Sequence, residues 1–319
     1  MSFRLFIYYC AICGGWAAFF GWMFGRSTSW LLGAGGYIWH DTLMGFFAGF
    51  FIALGLGLVD ALWNLSIRQP VQIFMRVAAA IMVGAFGGLL GGTIGGTIFS
   101  FVSVENPSLI LQAIGGIGFT FGWTLVGFLI GCSIGFFELL TSVVKRKDIR
   151  GSIKKLIKAV VGGTVGGILG GILAFLLNSG IKAVLAGQTA QSLWSPTAIG
   201  LVILGMCIGL LIGLAQVVLR EAWVRVEAGF RPGREKILSK EKSTIGRAEA
   251  CDIGLFGDPG TEKFHANIVA MGNRYFLEDA GTPGGTFLNG QRIMSRSPLN
   301  NGDLIQVGKN SLRFNSRRK

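Results

Sequence analysis

Few side chains in this sequence are placed to do chemistry, and they fall into two groups. The first lies near the C-terminus: Gly246-Arg247, Thr261-Glu262-Lys263, His265, Gly285-Thr286 and Asn289-Gly290. Arg247 carries a planar, permanently charged fork that suits a phosphate dianion. Thr261 offers a hydroxyl and Lys263 an ammonium to the same anion. Glu262 opposes them, because an ionised carboxylate only accepts hydrogen bonds and repels an anion. It can equally pair with Arg247 and fill the anion's place from within. The chain has two histidines, His265 and His40. No nucleophile–histidine arrangement is visible, so a catalytic role for His265 is not expected.

The second group is Asp60, Glu138 and Gln216, spaced by 78 residues and each near the end of an apolar run. Two readings stand for it. The three side chains could line a path for a solute or ion, since charges in hydrocarbon are costly and mark function. Alternatively, they pair with Arg68, Arg146 and Arg220 at the helix ends. Cys10 and Cys13 form a C-x-x-C without a second pair or a neighbouring histidine, and read as small packing residues. There is no P-loop, kinase signature or metal-ligand spacing. Glycine-rich stretches such as GGLLGGTIGG lie inside apolar runs, where backbone amides are already bonded. Neither a metal, a cofactor nor an enzymatic activity is expected.

The elements that must carry these residues differ sharply. Charged residues make up 14% of the 319, and 51 residues are glycine; soluble domains average about 25% charged. Apolar runs at about 3–25, 43–65, 77–102, 109–144, 156–178 and 197–219 each exceed the roughly 20 residues that cross a bilayer. The first run is too long for a signal peptide and lacks a small-residue cleavage site, so it is expected to be retained. Lys and Arg concentrate at the N-terminus and after the second and fourth spans, including Arg4, Arg76, Lys145, Lys147, Lys154 and Lys155. The opposite loops hold only Arg26 and Lys182. That asymmetry predicts a multi-pass protein of a bacterial-type inner (cell) membrane with both termini in the cytoplasm. The net charge of +13 then reflects topology and attraction to an anionic lipid bilayer, and nucleic acid is not expected as a partner.

The apolar half repeats. Gly49, Ala53, Gly57 and Asp60 recur 78 residues on as Gly127, Gly131, Gly135 and Glu138, and again as Gly205, Gly209, Gly213 and Gln216. On the odd spans Gly84, Gly88 and Gly92 map to Gly162, Gly166 and Gly170; the same step backwards reaches Phe6, Cys10 and Gly14, a copy that has drifted. Residues four apart share a helix face, so each series makes a groove for a second backbone. The expected architecture is an α-helical membrane bundle of six transmembrane helices with pseudo-threefold hairpin repeats, about 1–68, 69–146 and 147–221. The layout resembles that of the mitochondrial carriers, whose proline-acid-basic motif is absent here. Glycine faces can also pack between chains, so a homo-oligomer is a further expectation.

From Trp223 the period changes. WVRVEAG, STIGR, CDIGLF, HANIVA, RYFLEDA, GTFLNG, DLIQVG and SLRFN read as short strands between Gly, Asn, Asp and Pro turns, an all-β sandwich over 222–319. STIGRAEACDIGLF, FHANI, YFLEDAG, GGTFLNGQRI and LNNGDLIQVG resemble a forkhead-associated (FHA) domain across about residues 223–316. The resemblance implies an eleven-stranded sandwich that binds phosphothreonine peptides through loops at one end. It further implies that Arg247, next to Gly246, contacts phosphate and that His265 buttresses the binding loop. Asn289, next to Gly290, would hold the peptide backbone, with Thr261 and Lys263 supplementing the phosphate site. Glu262 departs from the family, which usually has serine there.

The expected function is a membrane-anchored scaffold or signalling protein whose cytoplasmic FHA domain recruits a protein partner. Docking is either phosphothreonine-dependent or, because of Glu262, independent of phosphate. The alternative is a channel or transporter regulated by its FHA domain, with Asp60, Glu138 and Gln216 as the polar ring.

Overall fold

The computed structural model describes residues 3–31, 37–64, 70–102, 109–144, 149–184, 196–238, 241–271 and 274–317. It divides into two compact units, one of Phe6–Val144 with Lys155–Val217, the other of Val218–Lys319 with Met1–Leu5 and Lys145–Lys154.

The first unit is helical. Its helices are α1 (Phe3–Leu31), α2 (Tyr37–Asn64), α3 (Pro70–Val102), α4 (Leu109–Val144), α5 (Ile149–Val184) and α6 (Pro196–Val218). Among the described residues, these six are long and apolar enough to cross a membrane. α3 and α6 begin on proline, whose fixed φ and missing N–H suit a first helical position. α1, α2, α3 and α5 outrun the apolar stretches of the sequence, because a helix satisfies its own backbone whether or not its ends are apolar. Trp30, Phe74, Met82, Ile110 and Ile117 are exposed.

Each helix meets the next in chain order, and α6 returns to α1. Gly21 lies against Ala48, Gly91 against Gly122 and Gly166 against Ile208. The other three seams are closer and equivalent. A methyl group on Gly49 would collide with the carbonyl oxygen of Gly84, one on Gly127 with that of Gly163, and one on Gly205 with that of Gly14. This is where glycine is required by contact rather than by backbone angle. The seams also correct the odd-helix register expected from the sequence. The partner of Gly127 on α5 is Gly163, not Gly162, and the equivalent on α1 is Gly14, eight residues after Phe6. The odd-helix seam glycines therefore step by 70 and then 79 residues, from Gly14 to Gly84 to Gly163, while the even ones keep 78.

On the even helices Ala48, Val126 and Leu204 hold equivalent positions of the repeat, as do Ile52, Ile130 and Ile208, and Leu56, Ile134 and Ile212, all at most 3% exposed. Leu56 reaches from α2 to the backbone of Gly209 on α6. Asp60 comes four residues after Leu56, buried, with its carboxylate 3.5 Å from Arg76 Nε of α3 and 3.0 Å from Lys155 Nζ of α5. The expected partners Arg68 and Arg146 lie outside the described residues, as does the side chain of Glu138. Gln216 is buried. The Arg220 guanidinium packs over the rings of Phe3 and Trp223.

The second unit is the sandwich. Its strands are β1 (Ala222–Ala228), β2 (Glu235–Ile237), β3 (Lys242–Gly246), β4 (Ile253–Gly254), β5 (Ala266–Met271), β6 (Arg274–Asp279), β7 (Thr286–Leu288), β8 (Gln291–Arg292), β9 (Ser297–Leu299), β10 (Leu304–Val307) and β11 (Asn310–Ser316). One sheet runs β2-β1-β11-β10-β7-β8, the other β4-β3-β5-β6-β9. Alternation places Val224, Val226, Leu312 and Phe314 of the first sheet against Ile245, Ile268, Tyr275 and Leu277 of the second, in one buried core. All pairs are antiparallel except β3 with β4. This core holds the interstrand loops that carry the conspicuous polar residues.

Candidate functional site

Three loops meet at one end of the sandwich: 247–252 after β3, 255–265 before β5, and 280–285 after β6. Backbone bonds join the first two. The N–H of Arg247 donates to the Glu262 carbonyl at 2.9 Å, and that of Ala248 to the Lys263 carbonyl at 3.0 Å. Gly246 permits this approach, since a Cβ there would strike the Lys263 carbonyl.

His265 joins the second loop to the third. It is fully buried. Its Nδ1 accepts from the Glu262 N–H at 3.1 Å, so Nε2 carries the proton and donates to the Gly285 carbonyl at 3.1 Å. The Thr282 hydroxyl lies 3.2 Å from the same nitrogen. Both ring nitrogens are thus spent on loop backbone, and the geometry gives His265 a positioning role.

Two carboxylates that the sequence reading did not single out fix the loops themselves. Asp258 accepts from the Lys309 N–H at 2.8 Å, the Thr261 hydroxyl at 2.9 Å and the Gly260 N–H at 3.0 Å. The Lys309 N–H bond, ahead of the others, holds its carboxyl below the ordinary value. Asp279 accepts from Gly281 N–H, Thr282 N–H and hydroxyl, and the Thr286 hydroxyl at 2.6 Å. Burial pushes its carboxyl up, but these bonds outweigh burial and it too titrates low. An Asp two residues before a glycine is an Asx-turn signal, legible at both positions.

The expected binding residues separate under this geometry. Arg247 keeps its guanidinium half exposed. Lys263 is exposed as well. The Glu262 carboxylate, also half exposed, stands 4.0 Å from Arg247 Nη2, a loose pair. Thr261 is turned inward: fully buried, it donates to Asp258 and accepts from Asn310 Nδ2 at 3.2 Å. Its hydroxyl is committed to the fold and does not reach the loop surface. Asn289 is exposed. It and Gly290 both have positive φ, 50° and 83°, and form the two-residue turn of the β7–β8 hairpin, the type I′ pattern that favours Asn-Gly. Its Oδ1 accepts from Leu304 N–H at 2.8 Å and its Nδ2 donates to Asp303 at 2.9 Å. Turn chemistry holds that pair in place at the loop surface. Arg292 is an added cation, with Nη2 donating to the Pro283 carbonyl at 3.3 Å beside the third loop.

The arrangement exposes Arg247 and Lys263 on loops held from beneath by buried His265 and Asp258 and by half-buried Asp279. It suits docking of an anionic group and holds no activated nucleophile. Among the described residues, no set of three His, Cys, Asp or Glu is placed to hold a metal. All five cysteines are free thiols.

Part of the chain is similar to known proteins. Residues 243–308 match the family description "FHA domain". An oxoglutarate dehydrogenase inhibitor of Corynebacterium jeikeium is 36% identical over 89 residues, 28% of this chain and 60% of that protein, so the chain spans well under two thirds of that relative. The FHA domain-containing protein FhaB of Mycobacterium tuberculosis is 25% identical over 121 residues, 38% of this chain and 77% of FhaB. A solved structure described as phosphothreonine-dependent FHA domain interactions is 23% identical, covering 31% of this chain and 99% of its own, with a TM-score of 0.29. Residues 243–308 are an FHA domain, and it follows six long apolar helices in the chain.

Proposed function

We propose that this is a multi-pass protein of the cytoplasmic membrane, both termini inside, whose FHA domain recruits a cytoplasmic protein through a phosphorylated threonine. Arg247 and Lys263 supply the charge that meets the phosphate, and His265 holds their loops in place. The observation that carries this reading is the Arg247 guanidinium, half exposed and engaged only loosely, at 4.0 Å, by Glu262. A phosphate dianion offers Arg247 a bidentate, doubly charged partner, and Glu262 must swing aside to admit it. An exposed pair of this kind is worth roughly 0–1 kcal/mol, which a phosphate contact outweighs.

The test is titration of the full chain in detergent micelles with a degenerate phosphothreonine peptide pool and its unphosphorylated twin. Binding to the phosphorylated pool alone, lost in Arg247→Ala and strengthened in Glu262→Ser, is the expected result. Equal binding of both pools, or of neither, would overturn phosphate dependence. The transporter reading draws on the buried Asp60 and Gln216, but the apolar residues at the preceding repeat positions, such as Ile52, Leu56, Ile208 and Ile212, are buried too and weigh against a wet path beside them.

A further inference from the structure

We infer that the turn between β1 and β2, through Arg231 and Arg234, extends the docking end of the sandwich and selects peptides with acidic side chains beside the phosphothreonine. This rests on the function proposed above and adds the class of peptide that fits it.

The turn is rigidly built. Arg231-Pro232-Gly233-Arg234 closes with the Arg234 N–H on the Arg231 carbonyl at 3.3 Å. Proline at its second position and Gly233, with φ of 80°, at its third are the type II pattern. Val226 N–H donates to the Arg234 carbonyl at 2.8 Å and Gly233 N–H to the Val226 carbonyl at 2.7 Å, which fixes the turn to β1. Arg231 itself holds a left-handed φ of 53°. That conformation is costly for a residue with a Cβ and clusters at ligand-binding positions.

The turn is also tied to the loops that carry Arg247 and Lys263. Phe230 N–H donates to Asn310 Oδ1 at 2.8 Å, and Asn310 Nδ2 donates to Asp258 and Thr261, both at 3.2 Å. The Phe230 ring meets the Phe256 ring edge-on at 5.1 Å. Arg234 Nη1 reaches the Gly254 carbonyl of β4 at 3.4 Å. Gly254 pairs with Gly246, the residue before Arg247, and neighbouring strands lie only about 4.8 Å apart. One extended peptide can therefore meet Arg247 and the turn together.

Arg231 is exposed and Arg234 half-buried. Burial first, then the Arg231 charge, lowers the Arg234 guanidinium below its ordinary value. Two like charges set together in a rigid turn gain from an anion placed against both. Exposed Lys309, whose N–H donates to Asp258, adds a third cation on the same side. Carboxylates of the adjoining elements are engaged elsewhere: Glu227 with Arg313, Glu235 with the Phe3 N–H, and Asp258 with Thr261 and Lys309 N–H.

Titration of the full chain in detergent micelles with two phosphothreonine peptide pools tests it, one flanked by Asp and Glu, the other by Asn and Gln. The acidic pool is expected to bind about fivefold more tightly, and less so at high salt. Arg231→Asn, which tolerates the left-handed φ, should remove most of that preference, and Arg231→Glu should reverse it. Equal binding of the two pools by the unaltered protein would overturn the inference and leave the function proposed above standing. So would a preference that survives Arg231→Glu. Binding of neither phosphorylated pool would overturn both. Capture of phosphatidylglycerol vesicles through Arg231 by the chain in phosphatidylcholine nanodiscs, with no preference between pools, would assign the turn to lipid and overturn the inference.

Discussion

In the helical unit helices come closest where side chains are missing, at glycines such as Gly49, Gly127 and Gly205. In the sandwich the core is filled by side chains such as Phe314, Ile245 and Leu277, all fully buried. A helix bonds its own backbone, so what remains to optimise is how near two helices come. Strands bond to their neighbours and leave their loops unbonded, so Asp258, Asp279, His265 and Asn289 must supply partners there. One unit is therefore most sensitive to added atoms, the other to removed ones.

The largest effect should come from adding bulk at a seam. Gly49→Leu drives carbon into the Gly84 carbonyl and should cost about 3 kcal/mol or more, seen as lost monodisperse protein in size-exclusion chromatography. Gly180→Ala, with nothing within 4 Å of the new Cβ, should be silent; equal damage from both would break the comparison. Removing bulk from the sandwich comes close behind. Phe314→Ala should cost about 3–5 kcal/mol, measured by urea unfolding, with exchange in α2–α4 unchanged.

Acid should act on the sandwich next. The carboxyls of Asp258 and Asp279 titrate below their ordinary value in the folded state. Their stabilisation is therefore complete above about pH 4 and is lost as pH falls through the lowered folded values. The sandwich midpoint in urea should drop between about pH 4 and pH 2, and Asp258→Asn should flatten that dependence. The smallest effect belongs to Glu262→Gln. Its exposed pair with Arg247 should shift stability by no more than about 1 kcal/mol, so a larger loss in urea unfolding would show that Glu262 is structural.

Much of this was legible in the residues. Six spans followed from apolar runs of membrane length, and the strands from period-two alternation with turn residues between. The glycine series on the even helices was readable because one register repeats three times. The odd-helix register was not, since its seam glycines do not keep the 78-residue step and pattern matching cannot see which backbone a glycine faces. Thr261 looked like a phosphate contact because a hydroxyl can serve either a ligand or the fold. Only the position of Asp258 shows that it serves the fold.

The sequence by itself determined the division into an apolar helical part and a β-sandwich, and the cations Arg247 and Lys263, because hydropathy, period and charge are local properties. The tertiary structure decided the rest. It set Gly14 against Gly205, seated Asp60 between Arg76 and Lys155, turned Thr261 inward, and placed Glu262 beside Arg247. Those are contacts between residues distant in sequence, and their partners are fixed only when whole elements pack.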